Sequence, residues 1–207
     1  MAKTLGLVLY NDFELLDAYG PMEMFGILGE DVKSVVIAQE AGPVKSSAGP
    51  QSLAEYGFDD APELDLMVLP GGIGTIPELA NERMLAYLKT ACPKTEVTMS
   101  VCTGSALLAR AGLLDGLPAT SNKMFFDLAR NQSDQVDWRE AARWVDAGQY
   151  VTSSGVSAGT DMALAVIERL FGAERAEQVA AFTEYTRHTD ADADPFVQYL
   201  NQGGPLG

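Results

Sequence analysis

Short apolar runs alternate along the chain with longer segments whose apolar residues recur at helical spacing. Four runs predict β-strands: TLGLVLY at 4–10, VKSVVIAQ at 32–39, LDLMVLPGG at 64–72 and EVTMSVC at 96–102. The third run is almost wholly apolar before its glycines, which is typical of a strand covered on both faces. We expect the fourth strand to be buried as well.

The segments between and after these strands predict helices. FELLDAYGPMEMFGIL at 13–28 is interrupted by Gly20-Pro21, so we expect one turn of helix and then a second helix that begins near Pro21. Further helices are predicted for ELANERMLAYLKTA, TGSALLARAGLL, SAGTDMALAVIERLFG and AERAEQVAAFTEY, at 78–91, 103–114, 157–172 and 173–185. Gly172 is a candidate C-terminal cap for the helix that precedes it.

Two segments have the composition of hairpins or irregular connections. GPVKSSAGPQSLAEYGF at 42–58 is rich in Gly, Pro and Ser, and AARWVDAGQYVTSSG at 141–155 has two β-like runs around a turn. The alternation of strands and helices favours an α/β fold with a mostly parallel sheet and helices on both faces. We expect a single domain over residues 1–190, followed by a polar C-terminal tail at 191–207.

Composition narrows the classes of function. Hydrophobic residues make up 47% of the chain and charged residues 21%, which is an ordinary globular balance. The net charge of -15 opposes attraction to phosphate backbones, so nucleic acid is not an expected partner. No run of about eighteen apolar residues and no cleavable signal pattern is present, so we expect no membrane association and a cytoplasmic location.

The two cysteines lie in different settings. Cys92 and Cys102, with the single histidine His188, form no pattern of metal ligands, so neither a metal nor a disulfide is expected. Cys92 precedes Pro93 near a helix end, and we assign it to packing. Cys102 lies where a strand passes into a helix, and the partial positive charge of a helix start lowers the pKa of a thiol. The residues alone leave two alternatives for Cys102: a reactive thiol or a small buried apolar residue.

Three predicted strand ends carry glycines or polar residues: LDAYGP after the first, LPGG after the third and VCTG after the fourth. Ligands of open α/β sheets bind where the carboxyl ends of the strands meet, so a site is predicted around Cys102. Asp17 in LLDAYGP could instead cap the helix expected near Pro21, and the residues alone favour that cap. Glu23 is expected to face another direction and to make a structural hydrogen bond.

Several motifs together resemble the DJ-1/PfpI superfamily. They are LPGG at 69–72, SVCTGSALLARAGLLDG at 100–116 and SSGVSAGTDMAL at 153–164. LDAYGPMEMF at 16–25 narrows the resemblance to the isocyanide hydratase-like branch and to the sensor domains of AraC-type regulators. The resemblance implies a flavodoxin-like three-layer sandwich, a cysteine on a strained nucleophile elbow, a homodimer and no cofactor.

The same resemblance implies roles for individual residues. In the isocyanide hydratase pattern, Cys102 is the nucleophile, Asp17 is the carboxyl group that moves protons, and Thr103 follows the nucleophile. The backbone amides of Gly72 and Thr103 match the positions that stabilise an anion. The expected substrate pocket comprises Gly71, Asn122, Gly155 and Val156.

The implied reaction converts an isocyanide, a small electrophilic substrate, and water to an N-substituted formamide through a covalent thioimidate. PfpI-type members have a histidine directly after the cysteine, where this chain has Thr103, so proteolysis is not expected. A catalytic role for His188, as in glutamine amidotransferases, is not expected because His188 lies in a polar segment. DJ-1 pairs its cysteine with glutamate where Asp17 stands here, which weakens a glyoxalase or deglycase assignment.

Two points remain open from the sequence. A non-enzymatic redox sensor or small-molecule-binding domain would also need a reactive Cys102, so only turnover distinguishes it from an enzyme. Familiar bacterial hydratases have a His-Trp pair where this chain has Asn122 and Lys123, which implies a pocket of different polarity. Met124, Phe125 and Phe126 could line that pocket or belong to the core.

Overall fold

The computed structural model describes residues 2–203. The strands are β1 Lys3–Val8, β2 Val32–Ile37, β3 Gly42–Lys45, β4 Gln51–Ala54, β5 Leu66–Leu69, β6 Val97–Ser100, β7 Pro118–Ala119, β8 Asp137–Trp138, β9 Trp144–Asp146 and β10 Tyr150–Ser153. The helices are α1 Leu15–Gly26, α2 Thr75–Glu78, α3 Glu82–Ala91, α4 Gly104–Arg110, α5 Phe126–Arg130, α6 Ala158–Phe171 and α7 Ala173–Phe182.

The centre of the fold is a six-stranded sheet in the order β2-β1-β5-β6-β10-β9. Its strands pair in parallel except β9, which is antiparallel to β10. Helix α6 packs against α1 and α7, whereas α4 packs against α3 and α5, and these two groups flank the sheet. Every residue of β5 and of β6 is buried, as expected for strands covered on both faces. The predicted α/β fold with a mostly parallel sheet is confirmed.

Within residues 13–28 the sequence predicted two helices with a break near Pro21. This prediction is wrong, because α1 continues through Pro21 without a break. Proline removes one helical hydrogen bond, so a local reading of the sequence favours a break there. Contact with α6 offsets this loss. A Cβ atom on Gly20 would lie 2.7 Å from Thr160 Oγ1, and one on Gly159 would lie 3.4 Å from Pro21 Cγ, so the two helices approach closely at this point.

Both predicted hairpins are present. Strands β3 and β4 pair antiparallel within residues 42–58, and β9 and β10 pair around the turn closed by Ala147 N and Tyr150 O at 2.9 Å. Gly172 follows α6 with a φ of 95°, which suits a residue without a side chain at a helix end. The short elements β7, β8 and α5 lie in the stretch for which the sequence predicted no defined structure.

The part of the C-terminal segment that is described lies against the body of the fold. Arg143 N donates to Ala191 O at 2.7 Å, and Asn201 N donates to Lys123 O at 2.8 Å. Residues 204–207 of the predicted polar tail lie outside the described residues. None of the helices between residues 2 and 203 has both the length and the apolar character needed to cross a membrane.

The sheet order brings three loops to one edge, because β1, β5 and β6 are adjacent parallel strands. The loops after β5 and β6 touch at Gly104. A Cβ atom there would lie 2.5 Å from Leu69 O and 2.8 Å from Pro70 O, both of them backbone atoms that cannot move independently. The start of α4 can therefore approach the end of β5 only because residue 104 has no side chain.

Gly104→Ala is expected to destabilise the protein by roughly 1–3 kcal/mol, because the new methyl group overlaps fixed backbone. The sign is diagnostic, since alanine ordinarily stabilises a helix relative to glycine by about 0.5–1 kcal/mol. Gly26→Ala, at the open end of α1 with no atom within 4 Å of the added Cβ, is the matched control and should be neutral or stabilising. Urea denaturation measures both variants, and equal changes in stability would contradict the steric argument.

Candidate active site

Cys102 occupies a strained turn between β6 and α4. Its φ is 58°, in the left-handed region that an L-residue adopts at a cost of about 1–2 kcal/mol. Three hydrogen bonds hold this conformation: Cys102 N donates to Ser154 O, and the hydroxyls of Ser105 and Ser121 both donate to Cys102 O, each at 3.1 Å. The turn has the conformation expected of a nucleophile elbow.

Three N–H groups act on the Cys102 sulfur. Asn122 Nδ2 donates to Sγ at 3.1 Å. The backbone amides of Thr103 and Val156 act as weaker donors that lower the pKa of the thiol. Val156 itself has a φ of 38°, so a second strained residue turns its amide toward the sulfur. Only 6% of Cys102 is exposed. The arrangement supplies a thiolate with hydrogen bonds in a setting that contains little water.

Asp17 is buried in the first turn of α1 and faces the loop after β5. Gly71 N donates to its Oδ2 at 2.9 Å, whereas its Oδ1 has no hydrogen-bond partner among the described residues. The carboxyl group caps no helix, because α1 begins earlier, at Leu15, and Asp17 accepts its bond from Gly71. Burial raises the pKa of Asp17 from 3.8 to about 7, since the ionised form loses its hydration.

Cys102 and Asp17 influence each other's ionisation. Burial raises the pKa of Cys102 well above its ordinary value, and the Asp17 carboxylate raises it further, whereas the three donors act in the opposite direction. The expectation of a lowered thiol pKa from the following helix is therefore wrong for the free protein. Protonation of Asp17 removes the carboxylate that disfavours the thiolate, so the two groups titrate as a coupled pair.

A chain of hydroxyl groups fixes the orientation of Thr103. The single proton of Tyr10 OH is donated to Pro70 O at 2.6 Å, so Tyr10 must accept from Thr75 Oγ1 at 2.9 Å. Thr75 then accepts from Thr103 Oγ1 at 2.9 Å. Gly72 N donates to the same Thr103 oxygen at 3.1 Å. Thr103 thus presents its backbone amide, and not its hydroxyl proton, to the sulfur.

The other predicted pocket residues lie around the same sulfur. A Cβ atom on Gly71 would lie 2.5 Å from Thr103 N and 3.0 Å from Asp17 Oδ2, so glycine is required beside these groups. A Cβ atom on Gly155 would lie 2.4 Å from Asn122 Nδ2. The anion-stabilising role of the Gly72 amide stays a prediction, and it requires this amide to exchange Thr103 Oγ1 for the substrate.

The sequence named four further candidates: Glu23, His188, Phe125 and Phe126. Glu23 is exposed on α1, and His188 is exposed, with only its backbone amide bound, to Asp161 Oδ1 at 2.8 Å. The two phenylalanines differ in exposure: Phe126 is fully buried in the core, whereas Phe125 is 48% exposed. Neither a histidine nor an aromatic side chain from these predictions reaches the sulfur.

Cys92 differs from Cys102 in its backbone conformation and in the partners of its thiol. It is fully buried, its thiol donates to Met67 Sδ at 3.6 Å, and burial raises its pKa to about 12. The packing role expected for Cys92 agrees with this setting. Within residues 2–203 no group of three or more His, Cys, Asp or Glu side chains is arranged to hold a metal ion.

Sequence reasoning missed Tyr10 and Thr75. Both follow strand ends, Tyr10 after β1 and Thr75 after the glycines that follow β5, and that position was the available signal. Neither residue type suggests chemistry by itself, because a tyrosine at a strand end and a threonine at a helix start are common structural residues.

Comparison with known proteins agrees with this geometry. Residues 3–169 match the model of the DJ-1/PfpI family. Isonitrile hydratase of Pseudomonas putida is 33% identical over 95% of this chain and 82% of its own length, and a deglycase of Thermococcus kodakarensis is 30% identical over 73% and 87%. The crystal structure of a ThiJ/PfpI family protein from Pseudomonas syringae gives a TM-score of 0.82 at 30% identity, covering 91% of this chain and 77% of that one. The chain belongs to the DJ-1/PfpI family.

Proposed function

We propose that the protein is an isocyanide hydratase, which adds water to an isocyanide and releases an N-substituted formamide. The observation that carries the proposal is the buried pair of Cys102 and Asp17. Its carboxyl group has a pKa of about 7 and one oxygen without a partner, so it can hold a transferable proton at neutral pH. The 33% identity with the isonitrile hydratase of Pseudomonas putida supports this assignment.

The first step forms a bond between sulfur and carbon. The Cys102 thiol passes its proton to the Asp17 carboxylate, and the thiolate so formed adds to the terminal carbon of the isocyanide. The electron pair on that carbon then takes the proton from Asp17. The product is a thioimidate in which Cys102 is bonded to a carbon that now carries one hydrogen. Asp17 is left as a carboxylate. Its unpartnered Oδ1 is the oxygen available for this transfer.

The second step adds water and restores the pair. Asp17 takes a proton from water while the oxygen of that water adds to the thioimidate carbon, and Asp17 then passes the proton to the nitrogen. The tetrahedral adduct collapses when the carbon–sulfur bond breaks and the hydroxyl proton moves to Asp17. A formamide leaves, and the Cys102 thiolate and neutral Asp17 are regenerated. The donors Thr103, Asn122 and Val156 stabilise the departing thiolate.

We expect the purified protein to convert a simple alkyl isocyanide to its formamide, which NMR detects directly. Cys102→Ala should abolish turnover, and Asp17→Asn should lower the rate by about 10²- to 10⁴-fold while the protein stays folded. The double variant should be no worse than Cys102→Ala alone, because residues that act on one covalent route are strongly non-additive.

Glu23→Gln is the matched control for this experiment, since Glu23 is an exposed carboxylate on the same helix, and it should keep full activity. Full activity of Asp17→Asn would remove the carboxyl group from the mechanism. Absence of formamide from several alkyl and aryl isocyanides would refute the proposal and favour the alternative of a non-catalytic cysteine sensor.

In the folded protein we expect iodoacetamide to label Cys102 far faster than Cys92 near neutral pH. Cys102 is 6% exposed and its sulfur accepts from Asn122 Nδ2, whereas Cys92 is 0% exposed and its thiol donates to Met67 Sδ. Mass analysis of the two peptides measures the ratio, and urea-unfolded protein, in which both thiols react alike, provides the control. Equal labelling of the folded protein would disprove the assignment of Cys102 as the reactive thiol.

The raised pKa of Asp17 predicts how stability depends on pH. The folded-state pKa of about 7 exceeds the ordinary 3.8, so between these values the folded state binds more protons and stability falls as pH rises. Asp17→Asn removes this loss. Its free energy of unfolding should rise relative to the parent between pH 4 and pH 7, by up to roughly 4 kcal/mol. Urea titrations at several pH values test this, and a difference that is constant with pH would show that Asp17 is not a buried acid.

A further inference from the structure

Four buried charged side chains outside the proposed mechanism form one group, which we call the buried charge cluster: Lys123, Arg143, Asp161 and Asp194. Their side chains are 2%, 6%, 0% and 0% exposed. Arg143 Nε and Nη2 lie 2.8 and 2.6 Å from Asp161 Oδ2. The Asp194 carboxylate lies 3.8 Å from Arg143 and 3.9 Å from Lys123. The two positive and two negative charges balance.

The buried charge cluster joins the segments that supply donors to the Cys102 sulfur. Lys123 follows Asn122 directly, and Asp161 lies in the first turn of α6, which begins two residues after Val156. Asn122 and Val156 are two of the three donors to the sulfur. A displacement of the cluster would therefore move both donors.

The C-terminal segment covers the loop that carries Asn122. Beyond Asp194, Asn201 N donates to Lys123 O at 2.8 Å and Gly203 N donates to Met124 O at 3.1 Å. The side-chain oxygen of Asn201 accepts from Asp127 N at 2.9 Å. We call residues 194–203 the C-terminal strap. It binds the backbone of the loop at Lys123 and at the residues that follow it, and Asp194 anchors its other end.

The interaction between Asp194 and Lys123 is electrostatic and acts at a distance. Lys123 Nζ donates hydrogen bonds to Thr120 Oγ1 at 2.8 Å and to Ala142 O at 2.6 Å. Asp194 Oδ2 has no hydrogen-bond partner among the described residues. Burial lowers the pKa of Lys123 to about 8, while Asp194 acts to raise it. Without the Asp194 charge the buried ammonium would lose its nearest counter-ion, and the loop would lose its fixed position.

We propose that Asp194 is a positioning residue for the nucleophile: through Lys123 and the C-terminal strap it holds Asn122 in hydrogen-bonding contact with Cys102. This inference rests on the proposed role of Cys102 as the nucleophile, but not on the identity of the substrate. Asn122 Oδ1 accepts from Phe125 N at 3.1 Å, so the side chain is fixed from within its own loop as well. Movement of that loop changes the distance from Asn122 Nδ2 to the sulfur.

The test measures the rate of Cys102 alkylation by iodoacetamide from pH 6 to pH 11, in the full chain without any isocyanide. Asp17 and Tyr10 are the titratable groups that interact with Cys102, and both are unchanged throughout. Asp194→Asn keeps the shape of the side chain and removes its charge. It should lower the rate at pH 7 by about tenfold and move the pH midpoint upward, which is the effect of losing one hydrogen bond to a charged group.

Asn122→Ala separates positioning from general structural damage. The single variant should slow alkylation by a similar factor, and Asp194→Asn added to it should change the rate by less than about twofold, since both act through one contact. Asp192→Asn, at an exposed position just before the C-terminal strap, should leave the profile unchanged. An unchanged profile in Asp194→Asn, or a further full tenfold loss in the Asn122→Ala background, would overturn the proposal.

If Asp194→Asn does not fold, Asn201→Pro provides a second test of the proposal. The position is exposed and lies at the far end of the C-terminal strap, and proline can neither donate to Lys123 O nor adopt the φ of 56° found there. The variant should slow Cys102 alkylation in the same direction. Unchanged alkylation would refute the proposal, whereas failure of isocyanide hydration with a normal alkylation profile would affect only the proposed function.

Discussion

The left-handed conformation of Cys102 is the constraint on which the rest of the structure depends. A φ of 58° takes Cys102 out of the extended conformation of β6, so its carbonyl and amide need partners outside the regular strand ladder. Ser105 and Ser121 satisfy that carbonyl, and Ser154 binds the amide. Without these bonds the strain would relax by returning the residue to an extended conformation, and the sulfur would move away from its donors.

The same elbow determines the ionisation of its neighbour. Asp17 is buried beside this elbow, and burial, together with the nearby Glu14 carboxylate, raises the pKa of its carboxyl group to about 7. A fully hydrated carboxyl group is ionised at neutral pH and could not donate a proton. The burial that raises the pKa of Asp17 also lowers the stability of the fold at neutral pH, and such a cost is common at functional sites.

Much of this could be predicted from the sequence, because strand ends and helix periods are local. The order of elements follows from the apolar runs, and the family motifs single out Asp17 and Cys102. That Asp17 reaches Cys102 could not be told from the sequence. The break at Pro21 was wrong because contact with α6 is a tertiary effect that no local pattern contains. The direction of the Cys102 pKa was wrong for a similar reason, since burial and the proximity of Asp17 outweigh a short following helix. The role of the C-terminal segment was hidden by its polarity, because its bonds are made by backbone groups and buried charges.

In the proposed mechanism the side chain that donates to the Cys102 sulfur is the amide of Asn122 and not a histidine. An amide donates to the sulfur at 3.1 Å but cannot take up a proton, so proton transfer is left to Asp17 alone. A charged imidazolium would stabilise a thiolate over a range of distances, whereas a neutral donor acts only in contact. The reactivity of Cys102 therefore depends on how firmly the loop of Asn122 is held. In our proposal the buried charge cluster and the C-terminal strap hold this loop, so that residues far from the elbow position the proposed nucleophile.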